Sequence, residues 1–134
     1  MTLTLVNPKS NPAPKRRVLV VDDNLDAVHS LAFLLRDQGH DVQFAINGFA
    51  AIEIARNFRP ELILLDIALP DFSGVDIARQ LKWEPGLENA LIVAVSGHSD
   101  ELHRTKALDA GCSEYHVKPL DTTVLEAILA RGQR

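Results

Sequence analysis

Beyond residue 17 the chain alternates between two kinds of hydrophobic pattern. RVLVVD (17–22), DVQFA (41–45), ELILLD (61–66), ALIVAVS (90–96) and EYHVK (114–118) are short runs rich in aliphatic and β-branched residues, and each predicts a strand. Between them the apolar positions recur at helical spacing. LDAVHSLAFLLRDQG (25–39) sets Leu25, Val28, Ala32 and Leu35 on one stripe and closes at Gly39. A second helix is predicted from about Gly48 to Asn57, with Ala51, Ile52 and Ala55 on one side. SGVDIARQLKW (73–83), SDELHRTKALDAG (99–111) and DTTVLEAILA (121–130) predict three more.

The run ELILLD has no polar alternation before its terminal carboxylate, which implies burial on both faces, as in a parallel sheet covered by helices. Strand–helix alternation of this kind predicts an α/β fold with right-handed crossovers. The expected form is a doubly wound five-stranded parallel sheet of order 2-1-3-4-5, a flavodoxin-like (βα)5 arrangement. Such sheets bind ligands at the carboxyl ends of their strands, where the chain reverses direction between the first and third strands.

Length and charge narrow the organisation. A chain of 134 residues, 46% hydrophobic, supports one core. Residues 7–17, NPKSNPAPKRR, carry three prolines and no apolar period. The expected division is therefore a flexible, Pro-rich basic arm over 1–16 and one folded domain over 17–134. Lys9, Lys15, Arg16 and Arg17 precede every acidic residue, which leaves 10 basic against 18 acidic residues from Val18 onward, a balance of −8. An acidic body is a poor non-specific binder of nucleic acid, so no nucleic-acid partner is expected. No apolar run approaches the ~20 residues that span a bilayer, and no signal-type segment opens the chain. The expectation is a cytoplasmic domain without a membrane partner. Cys112 is the only cysteine, which excludes an internal disulfide and leaves it a small packed residue.

The polar residues at the strand ends carry the chemistry. The first strand ends in Asp22 and Asp23, the third in Asp66, the fourth in Ser96 and the fifth in Lys118, followed by Pro119. Taken singly, each is a capping or turn residue. The predicted topology brings all five to one sheet edge. Two carboxylates about 4 Å apart repel by roughly 4 kcal/mol at an effective dielectric of 20, so three at one site call for a cation or a raised pKa. Oxygen donors from Asp23, Asp66, a loop carbonyl and water suit Mg²⁺, with Mn²⁺ as the alternative, better than zinc. Such a site can accept a phosphoryl group: Asp66 is the fitting nucleophile, the cation and Lys118 a charge clamp, and Ser96 a hydrogen-bond donor to a phosphoryl oxygen.

VLVVDDN, LLDIALPDFSG, AVSG and YHVKP occur in this order and together resemble the motif set of the response-regulator receiver domains of two-component signalling, over residues 17–131. The resemblance implies that Asp66 takes a phosphoryl group from a phosphohistidine of a histidine kinase or histidine phosphotransfer protein, forming an acyl phosphate. It implies that Asp22, Asp23 and Asp66 hold Mg²⁺ with the backbone carbonyl of Ala68. Ser96 and Tyr115 would form a switch, with Tyr115 turning inward, and a downstream protein would read the fourth helix, fifth strand and fifth helix. A cis peptide before Pro119 is a further expectation. The resemblance also implies that Ala68 and His98, two residues beyond Asp66 and Ser96, occupy positions that in this family tune acyl-phosphate hydrolysis. The domain would assist its own phosphorylation and dephosphorylation without being an enzyme in the usual sense. Ile67 and Gly97 depart from the family's frequent methionine and alanine without disturbing the chemistry.

Competing functions leave less trace. VVDDNLDA lacks the GxGxxG and GxxxxGK[ST] loops of nucleotide binders. The remaining rival is a receiver-fold interaction module that signals without phosphorylation. LDIALPDFSGVDIARQL and AVSGH also resemble receivers attached to hybrid histidine kinases, so a stand-alone domain and an excised module are both compatible with the motifs. No DNA-binding segment follows residue 134, so the expected output is a protein contact or phosphate relay. His29, His40, His103 and His116 show no metal-ligand spacing and are read as surface or packing residues.

Overall fold

The computed structural model describes residues 15–131. Residues 1–14 of the expected arm lie outside that range, as do residues 132–134. The described chain forms β1 (Arg17–Val21), α1 (Leu25–Asp37), β2 (Asp41–Ala45), α2 (Gly48–Phe58), β3 (Leu62–Asp66), α3 (Gly74–Trp83), β4 (Leu91–Ser96), α4 (Glu101–Asp109), β5 (Glu114–Val117) and α5 (Thr122–Arg131). The strands make one parallel sheet in the order β2-β1-β3-β4-β5, as the alternating pattern predicts.

Burial follows the sequence pattern. All five residues of β3 are buried, including Asp66, because the strand is central and helices cover both of its faces. Alternate side chains then divide into two cores, one per sheet face. Leu19, Ile63, Leu65 and Ile92 pack with α2 and α3 on one face. Val18, Val20, Leu64 and Val93 pack with α1 and α5 on the other. Ala51, Ile52 and Ala55 face the first core as expected.

Each helix starts on a polar residue that satisfies a free backbone N–H. Asn24, Asn47, Ser73 and Asp100 cap α1 to α4 by accepting from Ala27, Ala50, Val75 and His103. Asp121 likewise accepts from the Val124 amide at 2.9 Å.

Three details depart from the pattern. Leu25 belongs to the predicted stripe but is 48% exposed, because as the first residue of α1 it projects beyond the sheet that Val28, Ala32 and Leu35 cover. The fourth helix is shorter than 99–111: Asp100 is its cap, and Gly111 turns the chain at φ +111°. Arg16, the last residue of the expected arm, is only 6% exposed, its amide donating to His40 Nδ1 and its carbonyl accepting from Asp41. Packing thus already includes the residue before β1.

Candidate functional site

The sheet brings the five polar strand-end residues to its carboxyl edge. Register sets Asp66 beside Val95 and Ser96 beside Val117, so the ends of β3, β4 and β5 are level, with Lys118 one residue on. Carboxylate oxygens of Asp22, Asp23 and Asp66 lie within 4.8 Å of one another. Lys118 Nζ donates to Asp22 Oδ2 and to Asp66 Oδ2, each at 3.1 Å. The other oxygen of Asp66, Oδ1, accepts from the Ala68 amide at 3.0 Å. Asp22 Oδ1 accepts from the Asn24 amide at 3.0 Å, while Asp23 is exposed.

Three carboxylates against one ammonium leave a formal excess of two negative charges among side chains that offer only oxygen as a metal donor. A hard divalent cation fits that charge and that donor set. The titration directions agree. Burial raises the pKa of Asp66, with the Ala68 amide and Lys118 opposing and the charge of Asp22 adding to the rise. Burial works against the charge of Lys118, but its bonds to Asp66 and Asp22 outweigh it and hold the ammonium above the usual lysine pKa. Beside the acids, a groove of about 450 Å³ runs between β1, α1 and the β5–α5 loop, its apolar wall including Leu31, Leu34, Pro119 and Leu120.

The remaining predicted residues flank this cluster. Ser96 is 2% exposed, and its Oγ accepts from the His98 amide at 3.0 Å. Tyr115 lies inward, 8% exposed, and its hydroxyl donates to the His98 carbonyl at 2.6 Å. The Lys118–Pro119 peptide is cis. Ala68 is exposed in the loop after β3, where it bridges to Ser73. Ile67 is buried in the core, and a methyl group on Gly97 would meet nothing within 4 Å, so neither departure from the family's common residues distorts the site.

One residue that shapes the loop was not singled out from the sequence. Asp71 accepts from the amides of Gly48 (2.8 Å), Phe49 (3.0 Å) and Phe72 (2.9 Å), tying the β3–α3 loop to the first turn of α2. Those bonds, Gly48 first, hold its pKa below the ordinary aspartate value. An acid between Pro70 and Gly74 is the one sequence hint, since Asp readily accepts from turn amides. Gly74 is fixed by contact: a Cβ there would lie 2.5 Å from Ile67 Cα and 2.9 Å from the Asp66 carbonyl oxygen. Only glycine lets α3 start so close to the end of β3.

His98 is not in the acid cluster. Its ring stacks on His103 with centroids 4.2 Å apart and planes 6° from parallel, beside Asp100. His103, read from the sequence as a surface or packing residue, is half-exposed in the first turn of α4, its ring folded back over the preceding loop.

Comparison with known proteins agrees with this architecture. The family model described as response regulator receiver domain matches residues 18–130. The DNA-binding response regulator MtrA of Mycolicibacterium paratuberculosis is 33% identical over 121 residues, which cover 90% of this chain and 52% of that protein. The chain thus spans about half the length of the curated relatives it matches. Among solved structures, a CheY-like receiver domain from Methylobacillus flagellatus is 28% identical at a TM-score of 0.80, over 89% of this chain and 99% of that one. A response regulator from Burkholderia pseudomallei, solved with a phosphorylated aspartic acid, calcium ion and citrate, is 27% identical at a TM-score of 0.79, over 86% of this chain and 66% of that one. No described helix is long and apolar enough to cross a membrane. By its matched residues, its strand order and the acids gathered at its carboxyl edge, this chain belongs to the response regulator receiver domain family.

Proposed function

We propose that the chain is a phosphorelay receiver in which Asp66 is the acceptor. The observation that carries this reading is the posture of that carboxylate: buried, with Oδ1 on the Ala68 amide, Oδ2 on Lys118, and two further acids within 4.8 Å. A carboxylate held from both sides is oriented before any donor arrives, which removes part of the entropic barrier to attack.

In the reaction, an Asp66 oxygen forms a bond to phosphorus of a phosphohistidine donor as the P–N bond breaks. The electron pair returns to the donor imidazole, which then takes a proton, and an acyl phosphate remains on Asp66. Lys118 moves its charge from the carboxylates toward the phosphoryl oxygens, and the Ser96 hydroxyl turns to donate to one of them. Asp22, Asp23 and Asp66, with the Ala68 carbonyl, would hold Mg²⁺, or Mn²⁺ in its place. Bound there, the cation supplies neutralisation of the acids and of the incoming phosphoryl charge. The domain promotes the gain and loss of its own phosphoryl group, with Ala68 and His98 at the edge where hydrolytic water would enter.

The donor is a histidine kinase or histidine phosphotransfer protein. The downstream partner is a protein that reads α4, β5 and α5, where Leu102, Leu108 and Val117 are left 62%, 37% and 42% exposed by the described residues.

Intact-mass measurement after incubation with acetyl phosphate and Mg²⁺ tests the reading. The wild type should gain one phosphoryl group, and chelation or Asp66→Asn should abolish the gain. No gain in the wild type, or an equal gain in Asp66→Asn, would establish the alternative, an interaction module that signals without phosphorylation.

A further inference from the structure

The segment HSDELH, residues 98–103, carries a second constellation of ligand atoms away from the acids. Asp100 caps α4, accepting from the His103 amide at 2.9 Å. At the third position of the helix, His103 points its ring back toward the N-terminus and over the cap. Its Nδ1 lies 2.7 and 2.9 Å from the two oxygens of Asp100. A carboxylate at that nitrogen fixes the proton on Nδ1 and leaves the Nε2 lone pair outward, the arrangement that supports metal-binding histidines. His98 completes the group, stacked on His103, with one ligand atom from each of the three residues inside a 4.8 Å envelope.

The geometry points to a transition-metal site here, with His98 and His103 as ligands and Asp100 as the group that orients His103. Imidazole nitrogens select Zn²⁺ and its neighbours over Mg²⁺, so the site differs in metal preference from the oxygen-only cluster around Asp66. Two nitrogens on one tetrahedral zinc sit roughly 3.3 Å apart, from Zn–N bonds of about 2.05 Å. Parallel rings send their lone pairs along parallel lines, so capture requires one ring to turn. The His98 ring can do so, being exposed and free of hydrogen bonds among the described residues. Water or a donor from another molecule fills the remaining positions, as in open zinc sites.

The clip would act on a segment already held at its backbone. The His98 amide is on Ser96 Oγ and its carbonyl on the Tyr115 hydroxyl. Tying its side chain to α4 joins β4, β5 and α4 through one residue. Metal binding should therefore slow amide exchange between Gly97 and Leu102, a readout that needs no phosphoryl group.

The test is a calorimetric titration of Zn²⁺ into the full chain with Mg²⁺ in excess, repeated on four variants whose folding is checked by circular dichroism. The wild type should bind one Zn²⁺. His98→Ala and His103→Ala should each weaken binding at least tenfold. Asp100→Asn keeps a good helix cap and should weaken binding about tenfold. Asp23→Asn should leave it unchanged. Absence of Zn²⁺ uptake, wild-type uptake in both histidine variants, or a loss confined to Asp23→Asn would overturn the site. The last result would assign the metal to the acid cluster instead.

Discussion

Tyr115 holds the backbone of His98: its hydroxyl donates to the His98 carbonyl at 2.6 Å from a ring that is 8% exposed, latching β5 to the segment that follows β4. The same residue's amide rests on Ser96 Oγ at 3.0 Å, so one backbone unit links the hydroxyl beside the acids to the aromatic side chain of β5. In Tyr115→Phe the ring packing survives and the latch is lost. The expected cost is about 0.5–1.5 kcal/mol in denaturant unfolding, with faster amide exchange over Gly97–Asp100. An unchanged midpoint and unchanged exchange would show that the bond contributes nothing.

Asp23 adds negative charge to the cluster, and no ion-pair partner is found for it among the described residues. In chelator, Asp23→Asn should therefore raise the melting temperature by about 2–4 °C by relieving repulsion. With Mg²⁺ added, the order should reverse, because the wild type gains stability from the ion and the variant gains much less. A variant less stable than wild type in chelator would mean that Asp23 makes a stabilising contact of its own.

Gly74→Ala sets a methyl group against backbone atoms of Ile67 and Asp66 that cannot rotate away. The loop or the start of α3 must shift, at a cost of about 1–3 kcal/mol. Because Asp66 and Ala68 are on the displaced segment, acyl-phosphate formation should fall more than stability alone predicts. Comparison with Gly97→Ala, where a methyl group meets open space, separates this effect from glycine's general backbone entropy. Equal losses in the two variants would count against the close approach as the cause.

His40 is buried and accepts from the Arg16 amide through Nδ1, which requires its neutral form. Burial first, and the charge of Arg16 second, lower its pKa from the ordinary 6.5. A histidine whose folded pKa is depressed leaves stability intact above the unfolded value and removes it as pH falls through that value toward the folded one. Unfolding free energies measured from about pH 7.5 down to about pH 5 should decline in the wild type and decline less steeply in His40→Gln. Parallel slopes would remove His40 from the account.

The sequence made the sheet legible because its strands are dense runs and its ends are chemically distinctive. β2 was read to the residue, and β3 to within one, since ELILLD can only be buried on both sides. The five polar residues were legible for the same reason: strand ends and topology together specify one edge. Asp71 was not, because its three acceptor bonds reach across 22 and 23 residues to α2 as well as to its neighbour. Its significance arises only from tertiary approach. The contact between His98 and His103 was not legible for another reason. The spacing His98, Asp100, His103 matches no familiar ligand period, and the loop-to-helix turn, which no period describes, brings the rings together. Leu25 shows the converse, a residue on the correct stripe that the end of the helix carries past the core.

The bond between Lys118 and Asp22 spans 96 residues, and that between Lys118 and Asp66 spans 52. Synthesis runs from the N-terminus, so the acids of β1 and β3 leave the ribosome long before the lysine that neutralises them. Until β5 docks on β4, the growing chain holds these acids without their ammonium. The clamp of Lys118 on Asp22 and Asp66 is therefore a product of tertiary assembly, completed only when β1, β3 and β5 share one sheet.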